Sequence, residues 1–200
     1  MAAITIDLFV DYVCPYCYLA EHALAELRAA RDVEVRIRPF ELRPEPVPTL
    51  RPEDDYLPRV WSGSVYPMAR RLDVDIRLPT ISPQPRTAKA FVVLQLAAES
   101  GLADRYSAAM YRAFFLDDRD IGADAVILDV ATAAGLDADA VRAALSSRSR
   151  RARQAADLRE AAVAGITAVP TFVIGGRAFP GVPDAGRLIG AVDATSPASR

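Results

Sequence analysis

Few residues of this sequence are suited to binding metals or forming structural disulfides. It has two cysteines, Cys14 and Cys17, and a single histidine, His22. A tetrahedral zinc site needs about four ligands, so a zinc ion shared across a dimer is the alternative that remains. Covalent haem attachment needs a histidine directly after the second cysteine, and Tyr18 occupies that position. The sequence therefore predicts no metal site.

Long apolar runs and a strong charge of one sign are also absent. No stretch of about 18 uncharged apolar residues exists, which excludes a membrane-spanning helix. The net charge of −2 argues against nucleic acid as a partner. The apolar N-terminal segment has no basic region and is interrupted by Asp7 and Asp11, so no export signal is predicted. We therefore expect a cytoplasmic protein with no membrane partner, in a compartment where structural disulfides are rare.

What the sequence does contain is the pattern of a globular α/β protein, with 52% hydrophobic residues. Residues 4–10 are β-branched and apolar, which indicates a buried strand. A helix is predicted from about Cys14 to residue 30, and residues 33–40 alternate apolar and charged side chains, as a half-buried strand does. Residues 41–58 contain five prolines and are predicted to lack a long regular element.

The middle of the chain is predicted to be mainly helical and its end to return to β structure. Helical spacing and glycine stops predict helices over residues 60–72, 87–99, 103–115, 123–134, 138–145 and 148–164. Two short strands, 171–174 and 177–180, flank Gly175-Gly176, which indicates a hairpin. A helix is predicted over 184–192, and residues 195–200 are expected to be frayed.

The two cysteines form one C-x-x-C motif at the predicted start of a helix. The N-terminus of a helix stabilises a thiolate, so we expect Cys14 to be an exposed nucleophile. Cys17, one turn further in, is predicted to be the resolving thiol that attacks the mixed disulfide. Pro15 stiffens the loop, and Tyr16 places a neutral ring near the thiolate. Two buried structural cysteines are the competing interpretation, which a strand-to-helix junction disfavours.

Two further groups of residues have open or structural interpretations. Asp11, three residues before Cys14, either accepts a proton from Cys17 or caps the helix. An aromatic set in the central block is predicted to be core between the helices and the sheet rather than a substrate platform; it comprises Trp61, Tyr66, Phe114 and Phe115.

In their order along the chain, these motifs resemble the DsbA-like thioredoxin-fold proteins. The family opening D-x-V-C-P-W-C-Y is matched by residues 11–18, with Tyr16 in place of tryptophan. P-F-x-L-x-P is matched by residues 39–44, and G-V-x-G-V-P-T-F by residues 165–172 with Ala168 in place of glycine. The resemblance is to the cytoplasmic FrnE-like branch, which is similar also to 2-hydroxychromene-2-carboxylate isomerases and kappa-class glutathione transferases.

The resemblance implies a thioredoxin-like sheet (β-α-β … α-β-β-α) with a long, mainly helical insertion. Residues 1–44 and 165–200 would form the thioredoxin-like domain. Residues 45–164 would form the inserted domain, whose last helix, about 148–164, leads back to the first. The resemblance also implies a cis peptide bond between Val169 and Pro170. These two residues, with Pro15 and Tyr16, are the expected substrate-binding residues.

The resemblance further implies a thiol–disulfide oxidoreductase or isomerase acting on protein or small-molecule disulfides. Glutathione or a thioredoxin system would be its electron partner, and no cofactor is expected beyond glutathione as a co-substrate. The isomerase and kappa-class relatives usually have serine where this chain has Cys14, which favours disulfide chemistry. A glutathione-dependent isomerase or transferase acting on a small aromatic molecule is the first alternative. A non-catalytic thioredoxin-like binding or chaperone module is the second.

Overall fold

The structure, a computed structural model, describes residues 3–195 and contains a four-stranded mixed sheet. The strands are β1 (Ile4–Val10), β2 (Val33–Pro39), β3 (Thr171–Ile174) and β4 (Arg177–Pro180), in the spatial order β2-β1-β3-β4. β1 pairs in parallel with β2 and antiparallel with β3. Because β1 is central, its residues Ile6, Leu8 and Val10 are almost fully buried, as the continuous apolar run predicts.

Helix α1 (Pro15–Ala30) connects β1 to β2. Pro15 occupies its first turn and Cys14 is its N-cap residue, which confirms that the helix begins next to the first cysteine. Proline is favoured there because the first N–H groups of a helix have no intrahelical partner. The buried face of α1 packs against the C-terminal helix α9 (Ala185–Thr195).

The long insertion between β2 and β3 is mainly helical, as predicted. It contains α2 (Tyr56–Val60), a π-helical turn (Trp61–Val65), α3 (Tyr66–Leu72), α4 (Ala88–Glu99), α5 (Ala103–Phe115), α6 (Asp124–Ala133), α7 (Ala138–Ser146) and α8 (Arg148–Val163). The helix predicted over 60–72 thus begins earlier, and Pro58 lies inside α2 rather than in a loop. The first turn of a helix tolerates proline because its N–H groups need no intrahelical acceptor.

The chain returns to the sheet through the predicted hairpin. Strands β3 and β4 pair antiparallel around Gly175 and Gly176, whose φ angles are +55° and +77°. Two consecutive positive φ values are the geometry of a tight hairpin turn, and glycine adopts them without a side-chain clash. Thr195, predicted to be frayed, is the last residue of α9, and the rest of that prediction lies outside the described residues.

An aromatic cluster joins the insertion to the end of β1. The Tyr12 ring stacks on Phe91 of α4 at a centroid distance of 4.7 Å. Trp61 is 1% exposed and packs against Tyr66 and Phe115. Trp61, Phe114 and Phe115 are therefore core as predicted, whereas Tyr66 is only partly buried. Within residues 3–195, no helix combines the length and apolar character needed to cross a membrane.

Candidate functional site

The two cysteines lie together where β1 ends and α1 begins. They are 3.5 Å apart and both are free thiols. The backbone N–H of Cys17 donates to the carbonyl of Cys14 at 3.1 Å, so the first turn of α1 fixes their relative position. Two thiols this close can form a disulfide with little movement of the backbone.

Cys14 is buried, with 3% of its surface exposed, so the prediction that it is exposed is wrong, whereas its role as the nucleophile stays a prediction. Its Sγ lies 3.6 Å from the carbonyl oxygen of Val169, the second residue before β3. This chain segment covers one side of the sulfur, and the insertion covers the other across a small cavity. Both covering segments are distant from Cys14 in sequence, so the C-x-x-C motif does not predict the burial of this cysteine.

Cys17 is also buried, with 1% of its surface exposed. Burial raises the pKa of the Cys17 thiol well above its ordinary value, because the thiolate would lose its hydration, and the hydrogen bond with Cys14 raises it further. Cys17 is therefore a neutral thiol in the resting protein. Any reaction in which Cys17 attacks must include a group that takes its proton.

A cavity of about 230 Å³ opens next to Cys14, between the dithiol and the insertion. Val13, Pro15, Tyr16 and Val169 line it on the side of the sheet. The opposite wall is mostly apolar and comes from the loop after β2, the α2 segment and the residues before α4; it includes Leu42, Leu50, Tyr56, Leu57, Trp61 and Arg86. A space of this size accepts a small molecule or one extended side chain rather than a folded surface.

The segment before β3 contributes one predicted site residue to the cavity wall and not the other. The peptide bond between Val169 and Pro170 is cis. Val169 lines the cavity, whereas Pro170 is not among the described residues that do so. The carbonyl of Pro170 accepts a hydrogen bond from the N–H of Gly181 at 2.8 Å, so this carbonyl already has a partner within the fold.

Asp11 is buried at the end of β1 and joins three parts of the chain. Its carboxylate accepts hydrogen bonds from the Leu42 N–H (2.8 Å) and the Thr87 hydroxyl (2.7 Å). Burial raises the pKa of Asp11 to about 6, although these two hydrogen bonds oppose the increase. The side chain does not cap α1, so that interpretation is wrong: the backbone carbonyl of Asp11 accepts the N–H of Cys14 instead. Proton transfer from Cys17 to Asp11 stays a prediction.

Tyr16 and Arg86 hold the walls of the cavity through polar contacts that the sequence does not reveal. The Tyr16 hydroxyl donates to Ser64 Oγ at 2.8 Å, which connects the C-x-x-C loop to the π-helical turn. The Arg86 guanidinium donates to the carbonyls of Arg43 and Val47. Arg43 belongs to the segment 39–44 that matches a family pattern, but that pattern does not indicate these contacts.

Comparisons with known proteins agree with this geometry. The DSBA-like thioredoxin domain model matches residues 5–192. The uncharacterized protein YwbO of Bacillus subtilis is 39% identical over 178 residues, which are 88% of this chain and 89% of that protein.

Two solved structures are similar over 96% of this chain. A probable DsbA oxidoreductase from Streptomyces coelicolor is 28% identical, with a TM-score of 0.77 over 89% of its length. The cytosolic disulfide reductase DsbM of Pseudomonas aeruginosa, in a structure with glutathione, is 23% identical, with a TM-score of 0.68 over 95% of its length. At 23% identity, the likeness to DsbM shows a shared fold and nothing more.

Proposed function

The chain belongs to the DSBA-like thioredoxin domain family, and from this membership we propose that it is a thiol–disulfide oxidoreductase whose reactive pair is Cys14 and Cys17. The observation that carries the proposal is the position of two free thiols, 3.5 Å apart, at the N-terminus of α1. Cys14 lines the cavity and Cys17 is not among the described residues that do so, which supports different roles for the two thiols.

In the proposed reaction, the Cys14 thiolate attacks one sulfur of a substrate disulfide and expels the other sulfur as a thiolate. Cys17 then loses its proton and attacks Cys14 Sγ. The Cys14–Cys17 bond forms, the bond to the substrate breaks, and the substrate leaves fully reduced. The two cysteine sulfurs have together lost two electrons. Two thiols, from two glutathione molecules or from the dithiol of a thioredoxin system, must then reduce the Cys14–Cys17 disulfide and leave as a disulfide themselves before another turnover.

We assign substrate contacts to Pro15, Tyr16, Val169 and Pro170. The first three line the cavity, which supports their role, whereas Pro170 acts by holding Val169 in place. Glutathione is the proposed co-substrate, and no other cofactor is proposed. The glutathione in the DsbM structure supports this choice through fold alone. We further propose that the protein acts in the cytoplasm, within the FrnE-like branch of its family.

A glutathione-dependent isomerase or transferase is the second candidate function. It is favoured by the burial of Cys14 at a small, mostly apolar cavity, which suits a small aromatic molecule better than a protein disulfide. In that reaction Cys14 would hold glutathione or its sulfur, and Cys17 would have no required role. The two functions therefore differ in their need for Cys17.

The experiment that tests the proposal is a titration of the free thiols in glutathione redox buffers, combined with an insulin-reduction assay with glutathione as reductant. We expect Cys14 and Cys17 to oxidise together as one two-electron pair, and insulin to be reduced. A pair that stays reduced at every potential, with no turnover, would contradict the proposal and favour a binding module. Small-molecule isomerisation that survives Cys17→Ser would favour the second candidate.

A further inference from the structure

The sequence has three glutamines, all of them buried, and the side chain of one makes no contact of its own kind within the fold. Gln95 donates from its carboxamide to the carbonyl of Arg150 at 3.0 Å, and Gln154 donates to the carboxylate of Glu41 at 3.2 Å. The carboxamide of Gln84 makes no hydrogen bond within the described part of the chain, although the residue is only 7% exposed. Buried polar groups are almost always hydrogen-bonded, so this carboxamide calls for a partner from outside the fold.

Gln84 lies on the wall of the same cavity as Cys14. The carboxamide oxygens of Gln95 and Gln154 are sealed in the interior, whereas Gln84 lines open space next to the reactive sulfur. Gln84 also borders a wider depression of about 870 Å³ on the outer surface. A carboxamide that pointed into that open depression would be well exposed, so the low exposure of Gln84 indicates that its polar end faces the smaller cavity.

The chain segment that carries Gln84 is fixed relative to the dithiol by hydrogen bonds. The Gln84 N–H donates to the carbonyl of Leu50 at 2.7 Å. Three residues later, the Thr87 hydroxyl donates to the Asp11 carboxylate at 2.7 Å, and the backbone carbonyl of Asp11 accepts the N–H of Cys14 at 3.0 Å. The backbone of Gln84 therefore has a defined position with respect to Cys14 and to a substrate sulfur that meets it.

Other polar groups on the cavity wall already have partners within the fold. The Arg86 guanidinium donates to two backbone carbonyls and pairs with Glu45 at 3.3 Å. The Tyr16 hydroxyl donates to Ser64. Arg43 donates to a backbone carbonyl at 3.4 Å, and its positive charge makes recognition of a substrate carboxylate the competing interpretation. The carboxamide of Gln84 is neutral, so it favours a neutral partner instead.

We propose that Gln84 is a specificity-determining residue that selects disulfides with a neutral amide close to the sulfur that Cys14 attacks. The inference rests on the proposed function and names its substrate class. A carboxamide has two N–H donors and a carbonyl acceptor, which match the carbonyl and the N–H of a substrate amide. A mostly apolar cavity takes its specificity from a few such polar groups, while its apolar wall holds the methylene groups between the amide and the sulfur.

The test compares three small disulfides: dithiodipropionamide, dimethyl dithiodipropionate and dithiodipropionate. The ester keeps the carbonyl of the amide but lacks its N–H, and the third compound is a dicarboxylate. Each is mixed in excess with the reduced protein, and the loss of free protein thiols gives a rate constant, which is divided by that of the same disulfide with dithiothreitol to remove intrinsic reactivity. We expect the amide to oxidise the wild type about fivefold faster than the ester, the effect of one hydrogen bond.

Gln84→Met keeps the length of the side chain and removes its amide, so it should reduce the ratio of the amide and ester rates to about one. Because the ratio compares two substrates on one protein sample, it does not depend on the fraction of the variant that is folded. Gln95→Met is the matched control: it makes the same change in a buried glutamine that is not among the described residues lining the cavity. It should lower stability, because the hydrogen bond to Arg150 is lost, and keep the fivefold ratio.

The outcomes separate this inference from the proposed function. A ratio of about one in the wild type, a ratio that Gln84→Met leaves unchanged, or an equal loss in both variants would overturn the inference and leave the proposed function intact. A dicarboxylate that reacts faster than the amide would assign recognition to Arg43 and overturn it as well. A wild type whose thiols none of the three disulfides oxidises would contradict the proposed function, and this inference with it.

Discussion

The two thiols of one helical turn face two very different regions of the molecule. On the cavity side, Cys14 meets a space of about 230 Å³ whose walls come from loops, Trp61 and Tyr16. On the tyrosine side, Cys17 is 1% exposed, and its neighbours in the chain, Tyr12 and Tyr18, pack against the Tyr111 ring. The cavity side has open space, whereas the tyrosine side is filled by side chains. The difference teaches that two cysteines of one helical turn can have different surroundings because different elements pack against them.

The largest expected effect comes from exchanging each cysteine for serine. Cys14→Ser should abolish disulfide exchange, because in the proposed reaction the thiol on the cavity side makes the first attack. Cys17→Ser should retain that attack and accumulate a mixed disulfide with glutathione or a substrate, detected as a mass increase that a reductant reverses. If both variants accumulated the mixed disulfide equally, the cavity side and the tyrosine side would not give the two cysteines different roles.

The next effect concerns the stability of the cavity wall. Trp61 is 1% exposed, whereas Tyr56, which lines the same cavity, is 49% exposed. Trp61→Ala should lower the free energy of unfolding by about 3–5 kcal/mol, the range for a large buried aromatic side chain. Tyr56→Ala should lower it by less than about 1 kcal/mol. Urea unfolding followed by circular dichroism measures both, and a similar loss in the two would mean that the cavity wall is not anchored through Trp61.

A pH-dependent effect is expected at Asp11, which lies between the two sides. Its pKa is raised from 3.8 to about 6 in the fold, so the native state holds the proton more tightly than the unfolded chain. The stability it contributes is present below about pH 4 and is lost as the pH rises through 6. The stability difference should therefore shift in favour of Asp11→Asn by about 2 kcal/mol between pH 4 and pH 8. Thermal unfolding at a series of pH values checks this, and a constant difference would contradict it.

The smallest effect is expected at the rim of the cavity. Tyr16→Phe removes the hydrogen bond to Ser64. Because this contact is solvent-accessible, the loss of stability should be about 1 kcal/mol or less. The variant should nevertheless loosen the connection between the C-x-x-C loop and the π-helical turn, which hydrogen exchange of residues 61–65 would report. Unchanged exchange would show that the rim is held by packing alone.

The sequence predicts the parts of the site whose determinants are local. Pro15 in a first helical turn and the Gly175-Gly176 hairpin depend on backbone preferences of the residues themselves, and both are found where they were expected. The family motifs add the order of the strands and the proximity of Val169 to Cys14. These features need no knowledge of how distant segments pack.

The burial of Cys14 and the hydrogen bonds of Asp11 could not be predicted in this way. Each depends on which groups meet across more than 30 residues of sequence, as the Asp11 carboxylate does with the Leu42 backbone N–H and the Thr87 hydroxyl. The π-helical turn was missed for a related reason. Its residues Trp61 and Val65 are both buried in the core, and the apolar spacing of residues 60–72 predicts only an ordinary helix.

The contact between Cys14 Sγ and the Val169 carbonyl joins residues 155 positions apart. During synthesis from the N-terminus, both cysteines leave the ribosome long before β3 exists. Contacts of such separation form late because the intervening chain must be ordered first. Between the synthesis of α1 and that of β3, the nascent chain therefore carries Cys14 without the Val169 segment that covers it in the fold. A product that ended before β3 would lack this cover, so the order of elements along the chain delays the protection of the Cys14 sulfur.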